Sequence, residues 1–99
     1  MTQPVLTPWD PTRYMQTAED IAAHLDAAFE DGDPAVVAAV LGDIARAKGM
    51  TDIANSTGLG RTSLYKSLCA DGHPELATVL KVVHALGLRL TTTPAATAQ

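Results

Sequence analysis

The residues whose types and spacing could do chemistry lie in GLGRTSLYKSL, positions 58–68. Arg61, Thr62 and Ser63 follow a glycine-rich turn, and Lys66 comes one helical turn after Thr62. On a helix with Leu64 and Leu68 turned inward, these four side chains can face outward. Arg61 could donate two hydrogen bonds to a guanine, Thr62 could meet a base edge or a thymine methyl, and Lys66 could take a guanine or a phosphate. Ser63 could bind a phosphate or only cap the helix. Thr51, which can cap the preceding helix, could offer an amide and a hydroxyl to another phosphate. For each, the plainer alternative is a solvated surface residue.

The remaining inventory excludes much. His24, His73, His84 and Cys69 lack metal-ligand spacing such as C-x-x-C or H-x-x-x-H. No G-x-S-x-G, phosphate loop or dinucleotide fingerprint occurs. Glu19-Asp20 and Glu30-Asp31 sit at helix ends and read as capping and solubility. The expectation is a protein without enzymatic activity, metal or cofactor. A single cysteine cannot form an intramolecular disulfide and fits a reducing cytoplasm. No apolar run approaches the roughly 20 residues that span a bilayer. MTQPVLTPWDP lacks the charged and apolar regions of a signal peptide. A cytoplasmic protein without membrane contact is therefore expected.

The elements that must position these residues are helical. Of the 99 residues 46% are hydrophobic but only 4% aromatic, which favours packed helices over a β-sandwich. Pro4, Pro8 and Pro11 impose an extended arm over residues 1–16. Thr17-Ala-Glu-Asp20 reads as a capping box opening a first helix, with Ile21, Leu25, Ala28 and Phe29 at helical spacing and Gly32 as its stop. Asp33-Pro34 opens a second helix with the stripe Val37, Val40, Leu41 and Ile44, Arg46 and Lys48 in its last turn, and Gly49 as C-cap. A third, short helix runs from Thr51 to Thr57 and ends at Gly58. A fourth runs from Arg61 to about Ala70. After the turn at residues 71–74, Leu76, Val79, Leu80, Val83 and Leu86 make a fifth, stopped by Gly87. LRLTTT at 88–93 alternates and is β-rich, so it forms a short strand or an extended tail. The expected fold is all-α: a five-helix bundle over residues 17–93 that ends in a short strand or an extended segment, an N-terminal arm, and a flexible tail over 94–99.

Counting from Met50, Ile53 falls at the fourth position, small Ala54 at the fifth, Gly58 at the ninth, and Leu59 and Leu64 at the tenth and fifteenth. That is the helix-turn-helix pattern, in which the first helix bridges the DNA backbone and the second enters the major groove. The leucine that would complete it at the eighteenth position is Ser67, with Leu68 one residue later. A generic helical hairpin is the competing reading. Charge is divided along the chain. Residues 1–33 carry seven acids and one base, and residues 34–99 carry four acids and six bases, within a formal net charge of −4. The second part could meet phosphates, and the first could attract a basic protein. So few bases would bind DNA weakly as a monomer, so a homodimer on a two-fold site is expected.

The stretch from about Asp10 to Leu90 resembles the addiction-module antidote proteins, HigA-like antitoxins with an Xre/Cro-type, lambda-repressor-like helix-turn-helix. The most specific segments are GDIARAKGM, TGLGRTSLYKSL and ATVLKVVHALGLRL. The family usually has serine where this chain has Gly60, which weakens the N-cap. It usually has glutamate where this chain has Thr62, which removes a negative charge near DNA. The resemblance implies an antitoxin that neutralises a small basic RelE/ParE-like toxin by direct binding and represses its own operon. Trp9, Tyr14 and Phe29 become candidate toxin anchors, because aromatics dominate interface energetics. The competing function is a stand-alone helix-turn-helix regulator without a toxin partner. A third reading is a protein-interaction module that no longer reads DNA.

Overall fold

The computed structural model describes residues 17–95. The arm over 1–16, with Trp9 and Tyr14, lies outside the described residues. Five helices follow in order: α1 (Ala18–Asp31), α2 (Pro34–Lys48), α3 (Met50–Thr57), α4 (Arg61–Ser67) and α5 (Leu76–Ala85). No strand occurs among the described residues. Local signals set most of the boundaries. The Thr17 hydroxyl accepts from the Asp20 amide at 3.0 Å and opens α1. Asp33 accepts from the Ala35 amide at 2.9 Å, with Pro34 at the first helical position of α2. Gly32 and Gly58 close their helices in the left-handed conformation.

α1 packs on α2, α2 meets α3 and α4, and α3 meets α4 and α5. Ile21, Leu25, Leu41, Ile44, Ile53, Leu64, Leu68, Val82 and Val83 form the centre of one core. Three features depart from the sequence expectations, and at residues 88–93 the extended alternative holds rather than the strand. α3 begins at Met50 with Gly49 as its N-cap and no side-chain capping bond, so Thr51 lies inside the first turn and caps nothing. Gly49 ends α2 and starts α3 at once, which leaves no residue free for a separate cap. α4 ends at Ser67 rather than near Ala70, because residues 69–72 turn back on it: the Gly72 amide donates to the Cys69 carbonyl at 2.9 Å.

On α5 the buried face is turned from the expected stripe. Val82 is fully buried although it was not part of that stripe, whereas Leu76 is 68% exposed. Val82, Val83 and the C-cap Leu86 are buried in the core and Val79 packs against it, whereas Leu76 lies off this face at the start of the helix. Residues 88–93 run without helix, turn or bend and form no strand, since no neighbouring chain segment pairs with them among the described residues.

Candidate nucleic-acid interface

α3, a three-residue turn and α4 form the unit that carries the candidate contact residues. The turn is built by hydrogen bonds rather than by packing alone. The Thr57 hydroxyl donates to the Ile53 carbonyl at 2.8 Å and accepts from the Leu59 amide at 3.2 Å. The Gly58 amide donates to the Ala54 carbonyl at 2.9 Å, and Gly58 adopts φ 75°, which a side chain would resist. Leu59 packs partly on the core. α4 then starts at Arg61, with Gly60 as an N-cap that has no side chain to donate or accept.

α4 is held by its inner face. Leu64 and Leu68 are buried, so the inner position near the end of the motif is filled by Leu68, one residue later than the expected spacing. α2 approaches the end of α4 closely at Gly42. A Cβ there would fall inside the van der Waals envelope of the Leu68 carbonyl oxygen. Glycine in mid-helix costs about 0.5–1 kcal/mol relative to alanine. Here it lets α2 touch the backbone that fixes the depth of α4.

Arg61, Thr62, Ser63 and Lys66 are all exposed on α4, three in its first turn and one in the next. They are brought together on one short helix that carries two cations and no acid. Thr51 is also exposed, at the start of α3. Neither Arg61 nor Lys66 is tied up in an ion pair among the described residues. The ion pair present there joins Arg46 to Asp43 on α2 at 2.8 Å. Sequence reasoning overlooked Tyr65. It is 40% exposed, and the Arg61 guanidinium carbon lies 5.8 Å from its ring centroid, within cation–π range. The signal was available, since Arg61 and Tyr65 stand four residues apart on a helix.

Phe29 sits elsewhere, on α1. It is 38% exposed at the edge of the Ile21, Leu25 and Ala28 stripe, and α1 carries five acids and no lysine or arginine. Two clefts share its ring as a wall. One lies between α1 and residues 88–91, and the other is bounded by the α1–α2 junction and residues 72–74. Among the described residues no three metal-ligating side chains come together. No helix there is long and apolar enough to cross a membrane.

Fold and surface define a small all-helical protein with a cation-bearing helix pair and an acidic helix apart from it. The family model described as "probable addiction module antidote protein" matches residues 5–94, and the chain belongs to that family. An antidote role implies a toxin as partner. A protein of Haemophilus influenzae, described as uncharacterized, is 37% identical over 84 residues, which cover 85% of this chain and 87% of that protein. No solved structure matches the chain.

Proposed function

We propose that this antidote is a HigA-like antitoxin of a type II toxin–antitoxin pair, with two working surfaces. The α3–turn–α4 unit acts as an Xre/Cro-type helix-turn-helix that reads operator DNA and represses the antitoxin's own operon. The observation that carries this half is α4: Leu64 and Leu68 are buried while Arg61, Thr62, Ser63 and Lys66 all face outward. Arg61 and Thr62 address base edges, Lys66 a guanine or a phosphate, and Ser63 and Thr51 the backbone. Two cations per copy neutralise few phosphates, so a homodimer on a two-fold site supplies the affinity.

The second surface binds a small basic RelE/ParE-like toxin. Support comes from family membership and from the five acids of α1, which carries no lysine or arginine, with Phe29 as an exposed aromatic anchor. Co-expression with the product of the adjacent small reading frame tests the pairing. Growth should stop with the neighbour alone, recover with both, and the two proteins should elute together. A harmless or non-associating neighbour would turn the reading towards a stand-alone regulator.

A further inference from the structure

We propose that residues 88–93 are the edge through which two copies of this chain associate, each segment pairing antiparallel with its own counterpart across a two-fold axis. This deepens the proposed function, resting on it for the need of a two-fold DNA binder, and it names the surface that makes the dimer. The starting point is a strand-like sequence that finds no partner within the described chain. Leu88 and Leu90 are half-buried and pack on the core, whereas Arg89, Thr91, Thr92 and Thr93 are exposed. Over residues 88–91 this is the period-2 alternation of a strand lying on a globule, and Thr92 and Thr93 continue it into solvent. The Leu88 amide donates to the Val83 carbonyl at 3.1 Å. Beyond it, from Arg89 to Thr93, no backbone group makes a hydrogen bond among the described residues. Two leucines hold the segment in place while its donors and acceptors find no partner among the described residues. Such an edge is a template for another strand.

Self-complementarity points to a second copy. An antiparallel pair centred on Leu90 sets Arg89 opposite Thr91, and one centred on Thr91 sets Arg89 opposite Thr93. Neither register opposes two arginines, which would be repulsive. The adjoining cleft of about 380 Å³ is lined by Ala22, Ala23 and Asp26 of α1 and by Arg89. Asp26 and Arg89 share that cleft but form no ion pair with each other. A two-fold operation lets Arg89 of one copy meet Asp26 of the other, twice. A two-stranded ribbon alone is only marginally stable in water, so these flanking contacts are required.

The test is sedimentation equilibrium on the full chain without DNA or toxin, with Thr91→Pro, Thr92→Pro, Arg89→Glu and the double variant Asp26→Lys/Arg89→Glu. Wild type should dimerise. Adjacent residues of a strand point their amides to opposite sides, so one proline should weaken the dimer by at least about tenfold and its neighbour much less. Arg89→Glu should weaken it, and the double variant should restore it. A monomeric wild type, or a dimer untouched by both prolines, overturns the proposal. So does a dimer untouched by the prolines whose co-purified toxin is lost, which would assign the edge to the toxin. Should a proline unfold the chain, seen as lost helical circular dichroism, the charge swap decides, and failure of the double variant to rescue overturns the proposal. A dimer built on this edge that ignores operator DNA would sink the repressor reading alone.

Discussion

α1 and α4 solve the problem of being a helix in different ways. α1 has 14 residues, a threonine cap, a left-handed glycine stop, and acids in its first turn where the dipole favours them. α4 has seven residues, no side-chain cap, and basic Lys66 in its last turn. A helix that short does not persist alone in water. Its geometry is lent to it by Leu64, Leu68 and the close approach of α2 at Gly42. The two surfaces also differ in charge, with five acids and no lysine or arginine on α1 against two cations and no acid on α4. One globule can therefore present a basic protein and a polyanion with separate faces. The basic face depends on the core, whereas the acidic face rests more on local sequence.

The comparison can be broken most sharply at α4. Replacing Arg61 and Lys66 together by alanine should cost about 2–6 kcal/mol of operator affinity and lower the salt slope. Toxin affinity, measured by calorimetry, should stay unchanged, and an equal loss on both partners would merge the two surfaces. On α1, Phe29→Ala should cost about 2 kcal/mol or more of toxin affinity while leaving the α4 face and its contacts with operator DNA unchanged.

The dependence of α4 on α2 is sharpened by Gly42→Ala. Its Cβ forces the Leu68 backbone outward and should destabilise the fold by about 1–3 kcal/mol in urea denaturation. Operator binding should weaken although no contact residue has changed. A variant as stable as wild type would show that α4 sets its own depth. The smallest effect is expected at Tyr65. Tyr65→Ala should cost about 0.5–1 kcal/mol of operator affinity by freeing the Arg61 guanidinium, and Tyr65→Phe should retain most of it.

Much of this was legible in the sequence where a signal acts over a few residues. Thr17 and Asp33 cap as their types predict, and Gly32 and Gly58 stop helices because they accept positive φ. The outward placement of Arg61, Thr62, Ser63 and Lys66 followed from the inward leucines one turn apart. Thr51 misled because a threonine beside a helix start resembles a cap, while Gly49 already held that place.

What the sequence alone determined, then, is the number of helices, most of their ends and the face that α4 turns outward, since caps, glycines and apolar periods act locally. Tertiary structure decided the rest. It buried Val82 and exposed Leu76, since the face that α5 turns to the core runs through Val79, Val82, Val83 and Leu86. It gave mid-helical Gly42 its purpose, which no local rule reveals, because the Leu68 backbone arrives from 26 residues away along the chain. It also left residues 88–93 strand-like yet unpaired among the described residues, because a strand is completed by a neighbour and not by its own side chains.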